Sequence, residues 1–225
     1  MQVYSIFPSI DGEVSRYHQG RLTTFIRMAG CNLGGLSNTK PCLYCDTLYA
    51  LSPKSGTEMS VKDVMNRIEE IGIFKITITG GEPMLQVEEV YELTKALYFA
   101  KQDYTISVET NGTLPCIGYN VGSWVVDYKL ASSGVTDQMD AANFLELTAG
   151  DFVKFVIEDR KDFDEAVNFK NWLQQDMDSK VNFAFSPCHG KLNPNDLISW
   201  LMDDRVMDAV VNFQLHKVLD IKELD

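Results

Sequence analysis

At 225 residues, with 45% hydrophobic and 23% charged side chains, the chain has the size and balance of one globular domain spanning residues 1–225. A net charge of −12 excludes a broad contact with phosphate backbones, and so a direct nucleic-acid partner. Five cysteines, three of them clustered, exclude a secreted disulfide framework, and no apolar run approaches membrane-spanning length. The start, Met1-Gln2-Val3-Tyr4-Ser5-Ile6-Phe7-Pro8, lacks the basic patch and apolar core of a signal peptide. A reducing cytoplasm is the expected location.

In chain order, residues 6–13 read as a turn-rich lead-in, because Pro8 and Asp11-Gly12 are turn signals. Residues 22–27 read as the first strand, ending on the charge of Arg27. A loop with Gly34, Gly35, Asn38 and Pro41 follows, carrying Cys31, Cys42 and Cys45 in a C-x10-C-x2-C spacing. The C-x2-C pair can reach neighbouring corners of one metal centre, and the third thiol can close on another. Three sulfurs are one short of an ordinary iron–sulfur set, which would leave one iron open to a small molecule. A structural zinc site would need a fourth ligand, and neither Cys116, Cys188 nor the three histidines stands at zinc-finger spacing. Unrelated thiols are the third reading, and these residues alone leave all three open.

Ser60, Asp63 and Gly72 bracket an apolar periodicity that predicts a helix. Lys75-Ile76-Thr77-Ile78-Thr79 alternates like a strand and stops at Gly80-Gly81-Glu82-Pro83, where two glycines permit close backbone approach and Pro83 suits a first helical turn. Residues 87–102 carry a helical period. Strands are expected at 104–108, 124–126, 152–156 and 183–185, with a helix-like stretch over 163–173, before residues 210–215 lead to His216-Lys217. His18, His189 and His216 read as structural or surface histidines, Cys116 as a buried or loop thiol, and the methionines as core filler.

Short apolar strands separated by helical segments predict parallel βα units with right-handed crossovers. Polar residues capable of chemistry fall directly after them: Arg27 and Cys31, Thr79 and Glu82, Glu109, Asp127 and Lys129, Ser186 and His189. That edge is where (β/α) barrels build active sites. The length is short for eight units, so the expected fold is α/β, a partial (β/α) barrel of about six parallel strands. Its open edges and wide mouth are features a homodimer would close.

Cys31-Asn32-Leu33, Cys42-Leu43-Tyr44-Cys45-Asp46-Thr47 and Thr79-Gly80-Gly81-Glu82-Pro83 together resemble the radical S-adenosylmethionine enzymes. Ile10-Asp11-Gly12-Glu13, Cys45-Asp46-Thr47 and Gln214-Leu215-His216-Lys217 make the chain similar to the 7-carboxy-7-deazaguanine synthase family of the 7-deazapurine (queuosine-type) pathway, across nearly its whole length. The resemblance implies a [4Fe-4S] cluster on Cys31, Cys42 and Cys45, S-adenosyl-L-methionine on the open iron, and Mg2+ on Thr47. It implies a pterin substrate, 6-carboxy-5,6,7,8-tetrahydropterin, held by the loop Ile10, Asp11, Gly12 and Glu13, with Arg27 on the substrate carboxylate and Thr79 facing the substrate. Cofactor contacts are implied for Gly81, Glu82, Asp127, Tyr128, Lys129, Ser186, Pro187, Cys188 and His189. A one-electron donor such as flavodoxin or ferredoxin is implied as partner. The family usually has Gln where this chain has Asp11, and a cysteine where it has Gly35; here a seven-residue insertion carries the second thiol to Cys42. The alternative within the superfamily is an activase that makes a glycyl radical on a partner protein.

Overall fold

The computed structural model describes residues 1–37, 39–176 and 178–221; Asn38 in the cysteine loop lies outside the described residues. Its centre is one nine-stranded sheet: β1 (Gln2–Ile10), β2 (Leu22–Met28), β3 (Thr57–Glu58), β4 (Lys75–Gly80), β5 (Thr105–Thr110), β6 (Ser123–Asp127), β7 (Phe152–Ile157), β8 (Asn182–Pro187) and β9 (Val210–Val211). The order across the sheet is β3-β1-β2-β4-β5-β6-β7-β8-β9. Every pairing from β2 through β9 is parallel, which gives the expected partial barrel.

The lead-in is the main correction. Residues 2–10 are not a turn but a long strand, antiparallel to β2 with Phe7 opposite Phe25, so residues 22–28 form the second strand. Pro8 is tolerated because β3 covers only Gln2 and Val3, leaving the outer edge of β1 unpaired at Pro8. At the other end of the sheet only Val210 and Val211 of residues 210–215 pair as a strand.

Helices α1 (Val61–Ile71), α2 (Val87–Phe99), α3 (Arg160–Asn171), α4 (Pro194–Asp203) and α5 (Leu215–Val218) flank the sheet. The start of α1 is a full capping box, Ser60 and Asp63 each accepting from the other's backbone N–H, a cap of about 1 kcal/mol. Its end is Gly72 in the left-handed region at φ 75°. Pro83 opens a 3-10 turn, Pro83–Gln86, and α2 begins only after it, ending three residues before the expected 102. α4 fills residues for which no element was expected.

The strands alternate, and the alternation sorts the molecule into two chemistries. Ile26, Ile76, Ile78, Ile106, Val108, Val126, Val153, Phe155, Phe183 and Phe185 form the outer face and pack beneath the helices with Val64, Ile68, Leu93, Leu97 and Phe163. The other set is polar. Thr23 Oγ1 meets Thr77 Oγ1 at 2.9 Å, Thr77 meets Ser107 Oγ at 3.2 Å, and Lys75 reaches Asp11 and Thr77. Fully buried parallel strands are usually apolar on both faces. A polar inner face means the barrel interior is built to hold something.

Candidate active site

The inner face opens at the carboxyl ends of the strands into a cavity of about 1240 Å³. Its wall includes Cys31, Cys42 and Cys45, and also Ile10, Gly12, Glu13, Arg27, Thr47, Thr79, Gly81, Asp127, Lys129, Cys188 and His189. The structure thus brings most of the sequence-predicted site into one place. Asp11, Glu82, Tyr128, Ser186 and Pro187 are not in that wall; the first four are engaged elsewhere, and Pro187 ends β8 opposite Ile157.

The cysteine loop leaves β2 and is stitched to the segment behind it: Gly30 N–H donates to Ala50 O at 2.9 Å and Cys31 N–H to Leu51 O at 2.9 Å. A Cβ at Gly35 would lie 1.9 Å from Leu51 O, so no side chain, cysteine included, fits there as the backbone runs. Cys42 is placed by its neighbour Leu43, whose N–H donates to Ser133 O at 2.9 Å. Cys31 and Cys42 are buried together with Leu33 and Val135, and Cys45 packs on them, whereas Cys116 packs against the main core. Cys31 already accepts from Leu33 N–H at 3.3 Å and Asn111 Nδ2 at 3.7 Å, and Cys45 Sγ lies 3.7 Å from Thr47 Oγ1. Burial pushes the Cys31 thiol up to about 11, and burial also raises Cys42. Thiolates at these positions call for nearby positive charge, which bound iron supplies. Among the described residues no three His, Cys, Asp or Glu side chains converge closely enough for a single ion, so the thiols form no ready-made zinc site. Three thiols packed together on one cavity wall, with two N–H groups already directed at Cys31, suit a cluster ligand set with one open corner.

Beside the loop, a Cβ at Gly81 would lie 2.1 Å from Gly30 O, so the glycine pair lets the β4 turn press against the cysteine loop. Glu82 locks that turn from behind. Its carboxylate accepts from Met84 N–H at 2.8 Å, Thr110 Oγ1 at 2.6 Å and Asn111 N–H at 2.6 Å, and burial raises its pKa. Asp11 points down the barrel to Lys75, and its Oδ1 is 3.4 Å from Glu13 N–H. Tyr128 stacks on Phe169 at 3.8 Å. Ser186 Oγ accepts from Asn212 Nδ2 at 2.6 Å. These are braces of the site.

Arg27 enters the cavity between the rings of Phe7 and Tyr49, its guanidinium carbon 5.6 and 5.7 Å from their centroids. Thr79 Oγ1 donates to Glu109 Oε2 at 2.8 Å, and burial together with the charge of Glu13 pushes Glu109 up to about 8. Burial alone would raise Asp127, but Lys129 at 2.8 Å and Lys154 at 3.2 Å outweigh it and hold the carboxyl low. The C-terminal segment closes one side. Lys217 Nζ lies 2.6 Å from Asp46, Leu215 N–H donates to Gly12 O at 3.1 Å, and a Cβ on Gly12 would lie 2.4 Å from His216 Nδ1.

Sequence reasoning marked Glu109 at a strand end and Gln214 in a family motif without giving either a contact, and passed over Lys154, Asn111 and Asn212. One signal was available: a lysine inside Phe152-Val153-Lys154-Phe155-Val156 marks the inner face of a buried strand.

Comparisons with known proteins bear on the family and the fold. The Radical SAM superfamily model matches residues 25–116. The 7-carboxy-7-deazaguanine synthase of Clostridium acetobutylicum is 32% identical over 223 residues, covering 97% of this chain and 95% of that protein. The synthase of the same name from Leptospira interrogans is 34% identical over 235 residues, covering 96% of this chain and 94% of its own. Among solved structures, QueE from Escherichia coli shares the fold, with a TM-score of 0.71 at 20% identity over 94% of this chain and 92% of that one.

Proposed function

Because the chain belongs to the 7-carboxy-7-deazaguanine synthase family of the radical S-adenosylmethionine superfamily, we propose how its cavity performs that family's reaction. The protein is a radical S-adenosylmethionine carbon–nitrogen lyase of 7-deazapurine (queuosine-type) biosynthesis. Its reaction contracts 6-carboxy-5,6,7,8-tetrahydropterin to 7-carboxy-7-deazaguanine with loss of ammonia. The observation that carries the assignment of residues is the convergence of three thiols, Arg27, Thr79 and Glu13 on one cavity.

Bound together, the [4Fe-4S] cluster and S-adenosylmethionine supply the one-electron chemistry that starts the reaction. Cys31, Cys42 and Cys45 would hold the cluster, and Gly81, Asp127, Lys129, Cys188 and His189 the cofactor beside it. Glu82, Tyr128, Ser186 and Pro187 would serve the same side from behind, Glu82 by holding backbone, Tyr128 and Ser186 by packing on Phe169 and bonding Asn212, and Pro187 by ending β8. Arg27, held between two rings, presents its planar fork to the substrate carboxylate. Thr47, next to the cluster loop, would lend its hydroxyl to Mg2+ on that same carboxylate. Thr79 orients Glu109, which keeps its proton at neutral pH and can donate a hydrogen bond to the ring. Glu13, 3.2 Å from the Lys154 ammonium and carried by Ile10, Asp11 and Gly12, is the second carboxyl group facing the substrate. The segment Gln214-Leu215-His216-Lys217 keeps water from the mouth.

The partners we propose are the pterin, a one-electron donor of the flavodoxin or ferredoxin kind, and a second copy of the chain. No described helix is long and apolar enough to cross a membrane, and a reducing cytoplasm suits a loop of free thiols. The test is anaerobic reconstitution with iron and sulfide, then incubation with the tetrahydropterin and S-adenosylmethionine, with and without magnesium. Carboxydeazaguanine formation is the expected result, and its absence from a fully loaded enzyme would overturn the assignment. Thr47→Ala should keep full iron content yet lose most of the response to magnesium; an unchanged response removes Thr47 as the ligand.

A further inference from the structure

One buried lysine stands where the two sides of the site meet, and the family's motifs do not account for it. Lys154 lies in the middle of β7, 6% exposed, between the outer-core residues Val153 and Phe155. Its ammonium is 3.2 Å from Glu13 Oε1 and 3.2 Å from Asp127 Oδ1. Glu13 comes from the loop after β1 and Asp127 from the end of β6, so the lysine spans the interior between elements far apart in sequence.

The register explains how. Asp127 is directly opposite Lys154 on β6, while the opposing residue on β8 is Ala184. Ala184 is fully buried and too small to fill the space beside the lysine stem. The side chain has room to lean across to Glu13. Each carboxylate is also held from its own side. Glu13 accepts from Asn212 Nδ2 at 2.5 Å and Gln214 Nε2 at 2.9 Å, and Asp127 from Lys129 Nζ at 2.8 Å. Glu13, Lys154, Asp127 and Lys129 thus form a chain of alternating charge along the cavity wall. Without its central ammonium, Glu13 and Asp127 would face each other in a water-poor space, where like charges repel and take up protons.

We infer that Lys154 is a positioning residue that couples the substrate-side carboxylate Glu13 to the cofactor-side carboxylate Asp127, so that ordering either side orders the other. The assignment of sides rests on the function proposed above. Coupling of this kind is reciprocal, and that gives it a signature a merely structural lysine lacks. A change on the substrate side must weaken the cofactor, and a change on the cofactor side must weaken the substrate.

The experiment uses the reconstituted full chain. S-adenosylmethionine affinity is measured by equilibrium dialysis and the pterin KM by turnover, for Glu13→Gln, Asp127→Asn, Lys154→Gln and their double substitutions. Glu13→Gln should weaken S-adenosylmethionine binding about fivefold or more, and Asp127→Asn should raise the pterin KM by a similar factor. Lys154→Gln should weaken both, and in its background neither cross-effect should remain. Lys154→Arg, which keeps the charge, should restore part of both affinities. Parent-like S-adenosylmethionine affinity in Glu13→Gln overturns the inference. So does a Lys154→Gln protein that melts earlier but binds both ligands normally, or that loses only one. If Lys154→Gln does not fold, the two cross-effects decide alone. If the parent binds S-adenosylmethionine yet ignores the pterin, the functional reading fails, and ligand-free urea unfolding decides the coupling separately. There Glu13→Gln and Asp127→Asn should be non-additive with Lys154 present; additivity overturns the inference.

Discussion

Arg27 shows how much a single inward side chain can be asked to do. A guanidinium held against Phe7 and Tyr49 keeps its plane fixed before any ligand arrives, so little of its freedom is lost on binding a carboxylate. Losing such a charge-assisted contact costs about 1.5–3 kcal/mol, roughly ten- to a hundredfold in kcat/KM. Arg27→Ala should therefore keep its iron and its fold but lose product by at least tenfold, while slow cofactor cleavage without product continues. Chromatography of both products checks this, and parent-like turnover would remove Arg27 as the clamp. Glu109 makes a different prediction. Its pKa of about 8, set by burial and the charge of Glu13, lies above the 4.5 of an ordinary glutamate. Between those values the folded protein binds more protons than the unfolded chain, so this group lowers stability as pH rises through that window. Glu109→Gln should abolish that loss, and the stability gap in favour of the variant should widen by at most about 1.4 kcal/mol per pH unit. Urea unfolding at a series of pH values measures it; a flat gap would mean Glu109 ionises normally.

At the scale of elements, the cysteine loop and the β4 turn are one unit. Gly81 lies too close to Gly30 O to carry a side chain, and Glu82 anchors the same turn to the end of β5. A Cβ at Gly35 would press on Leu51 O, so Gly35 leaves no room for a thiol, while Cys42 packs beside Cys31. Cys42→Ala should lose iron and all S-adenosylmethionine cleavage, whereas Cys116→Ala, in contact with the main core, should retain both. Iron content and anaerobic cleavage assays test the pair. Full cleavage in Cys42→Ala would mean that another group completes the ligand set.

At the scale of the whole molecule, the sheet does not close through a ladder, since β3 and β9 stand at its two ends. Side chains close it instead. Val14 N–H donates to Asn212 Oδ1 at 3.1 Å, Gln19 Nε2 reaches Phe213 O, and Asn212 holds both Glu13 and Ser186. The gap between β1 and β9 is thus spanned by the segment that joins β1 to β2. The overall charge of −12 predicts one more property: tRNA at physiological salt should neither bind measurably in a gel-shift assay nor inhibit turnover. Retardation by the loaded enzyme would call for a local basic surface that the net charge conceals.

The sequence by itself determined the parallel βα plan, because strand and helix periods are local and Gly72, Ser60 and Pro83 punctuate them. It also determined the three-thiol loop and, through its motifs, the family. It did not reveal β1 as a strand, since Pro8 carries a turn signal that an unpaired sheet edge cancels, and edges exist only once the sheet is assembled. Only the tertiary structure decided which motif residues face the cavity. Asp11, Ser186 and Glu82 stand in motifs yet turn to Lys75, Asn212 and the end of β5, partners at least 26 positions away in the chain. Lys154 shows the reverse: an unremarked residue placed between two carboxylates by strand register and by the small side chain of Ala184. Buried charges must find partners wherever the fold brings them, and those partners are fixed by three-dimensional proximity, which no local pattern encodes.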